Sequence, residues 1–434
     1  MKRFAVLFAL CVVLVSCEGG LGVERPVEKK WDSVMILYSA GFNNLRYQLN
    51  TDLNELRDIS KGAYVPKLSS GKTIIAISHR PETYGGYSTP TSPVIMQIYR
   101  DEITKTVHTD TLYRAEPGSS LTDPDMMREL LEMVHDAFPS KHYGAIFSSH
   151  ASGWLPRGYY ADGGDDVSIF SFKRLSPYED ENPLVRAFTA DADPQNLSPE
   201  KHPLVRSFGD DASYSNRNVR EMDIREMAAA IPFHLDYIVF DACLMGGIEA
   251  AYEFKDAADW IVSSSAEVLG DGMNYVETGR LLLEQGTPDL KGLCEQYYKD
   301  YENSSATISL VRTAALPELA SVSRELFSKY RSSLAAVNPK QVQGFFRYGK
   351  HYFYDFEDII THCNPEGSDL RSFRSALNDC VTAKYSTKSF LAGSGGFTVN
   401  TFCGLSMYLP ANGNAKLDAY YKGLKWNQAT GLVE

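Results

Sequence analysis

Four short apolar runs decide what this chain can become. "SVMILYSAG" (33–41), "TIIAIS" (73–78), "YGAIFSS" (143–149) and "YIVFDA" (237–242) are continuously apolar rather than alternating, and helical stretches intervene. A strand apolar on both faces must be buried on both faces, which predicts a largely parallel sheet covered by helices. The helices carry their own start signals. Asp123 followed by Pro124 predicts an N-cap and first turn, and Asp223 with Glu226 has capping-box spacing. A further helix is expected over roughly 45–59, and a hairpin over 93–113. Beyond Tyr275 the chain turns more helical, broken by strands "ATISLVRT" (306–313) and "CGLSMYLP" (403–410), with "GSGG" (393–396) as a turn.

The first residues read as a targeting segment. Lys2 and Arg3 precede an apolar run from Phe4 to Val15 that is short for a membrane span, and the "LVSC" ending resembles a bacterial lipoprotein signal with Cys17 as the lipidated residue. Residues 1–16 are therefore expected as signal and 17–30 as tether, giving an exported protein held to a membrane only by its lipid. The mature part divides into a core over 31–275 and a C-terminal extension over 276–434 that packs on it. A formal charge of −12 argues against nucleic acid as a partner and suits basic substrates. Cys243, Cys294, Cys363, Cys380 and Cys403 are an odd number of thiols for an exported chain.

In open α/β sheets, chemistry gathers at the carboxyl ends of strands. His150 follows "AIFSS", and Cys243 follows "YIVFDA" at a strand-to-helix turn. A thiol there gains from a helix N-terminus and from a nearby imidazole that can hold its proton. The small neighbours of His150, in "SSHASGW", leave backbone N–H groups open to an incoming carbonyl. Asp241 leans toward the same region as Cys243 and suits either a cationic substrate group or a helix cap. Other chemistries fail on their motifs. "SGKT" (70–73) precedes its strand, no H-E-x-x-H or G-x-S-x-G occurs, and the Cys and His spacing offers no metal site.

Strand–His150–small–Ser–Gly–Trp, followed by strand–Asp241–Ala242–Cys243, resembles the clostripain family of cysteine peptidases, in the clan of caspases, legumain and gingipains. "VMILYSAGFNNL", "SSSAEVLGDGMNY" and "GLSMYLP" extend the likeness in scattered blocks over roughly 31–410. The resemblance implies a caspase-like α/β/α sandwich with a mostly parallel central sheet and a C-terminal extension. It implies an endopeptidase cleaving after arginine or lysine in protein or peptide substrates. His150 would be the acid and base, Cys243 the nucleophile, and the N–H groups near Ala151 and Cys243 the oxyanion site. Asp241 and Asp271 would receive the basic side chain. Family members cut themselves between the histidine and the cysteine, and some bind Ca2+. One departure is Ala151, where the family has a glycine.

The segment 155–222 between the two blocks is acidic, irregular and expected at the surface. It carries one word twice, "PLVRAF" at 183–188 and "PLVRSF" at 203–208, so Arg186 and Arg206 are the expected self-cleavage sites. The reading from another class is a surface lipoprotein that binds peptide or glycan on the same scaffold without turnover.

Overall fold

The computed structural model describes residues 30–43, 45–80, 82–84, 87–89, 91–157, 159, 208–212, 219–346, 351–392 and 396–434. The expected signal and tether, Cys17, Arg186, Arg206 and most of the 155–222 segment lie outside them.

Nine strands form one sheet. In chain order they are β1 (Ser33–Ala40), β2 (Lys72–His79), β3 (Val94–Arg100), β4 (Val107–Arg114), β5 (Tyr143–Ser148), β6 (Leu235–Asp241), β7 (Ala258–Ser263), β8 (Thr307–Arg312) and β9 (Val381–Ser386). Their spatial order is β9-β8-β7-β6-β5-β1-β2-β3-β4. The five central strands, β7 through β2, are mutually parallel. The expectation of a mostly parallel sheet is corrected at the edges, where β3 and β4 on one side and β8 and β9 on the other all pair antiparallel. The physical reason lies in burial. The central strands are apolar on both faces, whereas β4 and β9 alternate toward solvent and close the sheet with half-exposed edges.

Two cores lie on opposite faces of this sheet. One face packs Ile36, Tyr38, Phe147 and Phe240 against α2 (Pro124–Ala137), α3 (Ile224–Ala230) and α4 (Ile248–Glu253). The other packs Met35, Leu37, Ile146 and Val239 against α1 (Arg46–Leu56), α5 (Tyr275–Gly279) and α6 (Leu290–Tyr301). The alternation of β1 residues between the two cores is the period-two consequence of a strand buried on both sides. Both expected caps form: the Asp123 carboxylate accepts from the N–H groups of Asp125 and Met126, and Asp223 and Glu226 close a reciprocal capping box. Among the described residues no helix is long and apolar enough to cross a membrane.

Residues past 275 add β8 and β9 to the same sheet and brace the turn after β6. "GLSMYLP" joins the main sheet nowhere. It contributes only Ser406–Met407, paired with Tyr354–Asp355. That short ladder is nonetheless well used: the Ser406 N–H donates to the Gly246 carbonyl at 2.9 Å. Glu249, fully buried on α4, accepts from the Tyr408 N–H at 2.8 Å and from the Tyr421 hydroxyl at 2.7 Å. Trp154, from the loop after β5, packs its indole 4.8 Å from the tilted Tyr408 ring and edge-on 5.1 Å from that of Tyr421.

Burial raises the Glu249 carboxyl to about 7, against the two hydrogen bonds that favour its charge. An acid raised on folding is bound to its proton in the folded state alone between the unfolded value and about 7. Its contribution to stability is therefore fullest at acid pH and falls as pH rises through that window. Glu249→Gln keeps an acceptor for both bonds and cannot ionise. Relative to this variant, the unmodified protein should lose roughly 2–3 kcal/mol between pH 5 and 7.5. Parallel pH profiles of the two denaturation midpoints would remove the assignment.

Candidate active site

The parallel pairing of β5 with β6 sets Ser148 directly opposite Asp241. His150 and Cys243 each stand two residues beyond that pair, so adjacent strands deliver them to the same carboxyl edge. Both line one pocket of about 360 Å3, together with Ser149, Asp241 and Ala242. Ala151 is buried beside it and keeps a negative φ, so the backbone there makes no demand for glycine.

The turn after β6 differs from the expected one. Cys243 does not open a helix: α4 begins only at Ile248, after Gly246 and Gly247. The intervening Leu244 adopts φ 63°, in the left-handed region that costs a β-carbon-bearing residue about 1–2 kcal/mol. Hydrogen bonds to the chain leaving β7 hold it there. The Leu244 N–H donates to the Ala266 carbonyl at 2.9 Å, and the Gly246 N–H donates to that of Ser264 at 2.7 Å. The Cys243 sulfur accepts from the Val268 N–H at 3.3 Å. The Val268 backbone, rather than a helix terminus, thus meets the thiol, its carbonyl lying 3.6 Å from the sulfur. None of the five described cysteines forms a disulfide, and the other four are buried, with burial raising Cys363 to about 11 and Cys380 to about 12.

The His150 loop is tied down from two sides. Its carbonyl accepts from the Gly209 N–H at 3.1 Å. The Gly209 carbonyl in turn accepts from the Asn43 amide at 2.8 Å and the Ser149 hydroxyl at 3.2 Å. Gly209 has φ 114°, and a β-carbon there would collide with Thr122. Asn43 also donates to the Ala40 carbonyl and accepts from the Leu45 N–H, so one buried amide joins β1, α1, the histidine loop and the strand Phe208–Ala212.

Asp241 lies deeper, 5% exposed. Its Oδ2 accepts from the Tyr275 hydroxyl at 2.8 Å and the Ser148 hydroxyl at 3.2 Å. It caps no helix. Burial pushes its carboxyl upward against those two bonds. Gly272, at φ 59°, lets the following segment approach, since a β-carbon would meet Asp241 Oδ2 at 2.8 Å. Asp271 is exposed and stands beside the pocket-lining Gly270 and Gly272. One carboxylate was not anticipated from the sequence: Asp52 of α1, 4% exposed, lines the same pocket. Its signal lies in the helix pattern, where Leu49, Asp52, Leu53 and Leu56 form the buried stripe. An acid in an apolar stripe calls for an explanation. Among the described residues no group of three His, Cys, Asp or Glu side chains is arranged to hold a metal ion, so no step is assigned to Ca2+.

The clostripain family model matches residues 198–430, more than half of the chain. Three solved structures are similar in fold. One is an inactive zymogen C11 protease from Parabacteroides distasonis, 21% identical over 92% of this chain and 98% of that one, with a TM-score of 0.70. Another is a secreted C11 cysteine protease from Bacteroides thetaiotaomicron, 20% identical over 92% and 99%, at 0.69. The third is a secreted C11 cysteine protease from the same organism with an irreversible peptide inhibitor, 18% identical over 92% and 99%, at 0.67. No curated protein sequence matches.

Asn43→Ala leaves the Gly209 carbonyl and the Leu45 N–H each short of a buried partner. A loss of about 1–3 kcal/mol is expected, read from the denaturant midpoint. A loss below about 0.5 kcal/mol would show that the amide is not the tie described.

Proposed function

This chain belongs to the clostripain family and is a cysteine endopeptidase, and from that premise we propose that it cleaves after arginine or lysine with His150 and Cys243 as its catalytic pair. The observation that supports the reading is the Ser148–Asp241 register, by which His150 and Cys243 each follow a neighbouring strand end and line one pocket. Histidine takes the thiol proton as sulfur attacks the scissile carbonyl, and the carbonyl electrons move onto oxygen. The N–H groups of Ala151 and Cys243 stabilise that oxyanion. Collapse breaks the C–N bond, the imidazolium gives its proton to the leaving amine, and a thioester remains. Water, deprotonated by the same imidazole, then releases the acid and regenerates the thiol.

Asp241, and Asp271 at the rim, attract the basic side chain of the substrate. The buried carboxyl of Asp241 supports this role, because no lysine or arginine lines the pocket among the described residues to occupy it.

Two further assignments rest on the sequence. The chain is exported and lipid-anchored through Cys17 after removal of residues 1–16, with 17–30 as tether. A secreted relative of the same fold supports the exported part. The enzyme is made as a precursor that cuts itself at Arg186 and Arg206, releasing about twenty residues from between histidine and cysteine. An inactive zymogen of the same fold supports a precursor. The proposed catalytic residues lie within 31–275, and the extension 276–434 completes the same sheet with β8 and β9.

Reporter peptides ending in arginine, lysine or aspartate test the reading with the chain from Glu18 onward. Cleavage after arginine or lysine alone is expected, reduced roughly 10^3-fold or more by Cys243→Ala or His150→Ala. Mass spectrometry should show new ends at Ala187 and Ser207, absent from the Cys243→Ala protein. Activity from a chain whose 155–222 segment is intact would overturn self-cleavage as a requirement. Silence from a processed chain, with Cys243 inert to alkylation, would instead mark a binding protein.

A further inference from the structure

We propose that Asp52, on α1, is a specificity-determining residue: a second acidic wall of the pocket, opposite the strand edge that bears Asp241, which contacts the basic side chain of the substrate. This inference rests on the arginine- or lysine-directed reading above and names a residue which that reading does not require.

Four observations carry it. Asp52 lines the pocket that holds His150 and Cys243, on the helical face shared by Leu45, Gln48 and Leu49. It is 4% exposed, although α1 has an open side on which an acid would be cheaply solvated. Gln48 Oε1, in the same pocket, is a buried acceptor that makes no hydrogen bond, and Asp241 Oδ1 accepts from no side chain. Finally, no lysine or arginine lines the pocket among the described residues. The pocket is therefore rich in acceptors and poor in donors. A ligand bringing several N–H groups and a positive charge fits that deficit, and a guanidinium, with its donors spread across a planar fork, fits it better than an ammonium.

The charge around Asp52 adds a consequence. The groups acting on it are Asp241 at the end of β6, Glu55 on its own helix and Asp271 in the segment before α5, all acidic. Its charge in turn bears on the hydroxyls of Tyr275 and Tyr301. Burial first, and then these carboxylates, raise Asp52 to about 9, and burial raises Asp241 beside it, so this acidic pair holds a proton at neutral pH. An arriving cation replaces that proton. Binding of the basic side chain thus releases a proton near pH 7.5 and tightens as pH rises toward 9.

Agmatine, which carries the arginine side-chain guanidinium but no scissile carbonyl, is the probe. Its affinity for the processed enzyme is read from protection of Cys243 against iodoacetamide between pH 6.5 and 9.5. Proton release is read by calorimetry at pH 7.5 in buffers of different ionisation enthalpy, using processed enzyme whose thiol has been methylated. The unmodified pocket should bind at least about tenfold more tightly at pH 9 than at pH 7, with release of up to one proton. Asp52→Asn should bind agmatine about tenfold or more weakly at pH 9, lose the pH dependence and the proton release, and lose kcat/KM for arginine peptides more than for lysine peptides. Thermal unfolding within a few degrees of the unmodified protein would certify the variant. If the variant does not fold, the unmodified pocket decides alone: binding with no proton released overturns the proposal. Arginine cleavage and agmatine affinity both unchanged in Asp52→Asn would overturn it while leaving the peptidase reading intact. An enzyme that cleaves neither basic peptide and ignores agmatine would overturn both together.

Discussion

The site depends on one pairing. Where β5 runs parallel to β6, Ser148 lies against Asp241, and His150 and Cys243 follow two residues beyond on either strand. A parallel ladder fixes that alignment firmly, because a slip by one residue would exchange every side chain between the two cores. Phe147 and Phe240 pack on one face while Ile146 and Val239 pack on the other. The sheet thus sets the spacing of imidazole and thiol through the burial of residues that take no part in the reaction.

Around that pairing the molecule stores discomfort rather than relieving it. Leu244 holds a left-handed backbone immediately after the cysteine, and two carboxyl groups are buried in one pocket without a cation. Unfavourable features of this kind persist only where the surroundings over-determine them. Here the surroundings are the Ala266 and Ser264 carbonyls, which accept from the turn's N–H groups, and the Tyr275 and Ser148 hydroxyls on Asp241.

Much of this was legible in the sequence, and the parts that were not share a cause. Continuous apolar runs marked the central strands, and Asp123, Asp223 and Glu226 marked helix starts, because both signals are local. The strand β9, "VTAKYS", escaped notice because its polar alternation belongs to a sheet edge, whose existence depends on β8 lying beside it. The late helix start after Cys243 escaped because Gly246 and Gly247 are shaped by contacts with Ser264 and Ser406, far along the chain. His150 and Cys243 could be singled out by their positions at strand ends. Asp52 could not, since an acid within a helix looks solvent-facing until the stripe it interrupts is laid against the sheet. Sequence reasoning reached what short-range physics dictates and stopped where tertiary contacts choose.

The bracing of the cysteine turn by residues near the C-terminus has a bearing on timing. Ser406 bonds Gly246, and Tyr408 and Tyr421 bond the Glu249 carboxyl on the helix that follows the turn. A chain synthesised from its N-terminus has its histidine and cysteine segments before those residues exist. Until the last few dozen residues emerge, the turn lacks its floor and Trp154 lacks the rings it rests on. The turn that carries the cysteine is thus completed by contacts with residues 160 positions further along the chain.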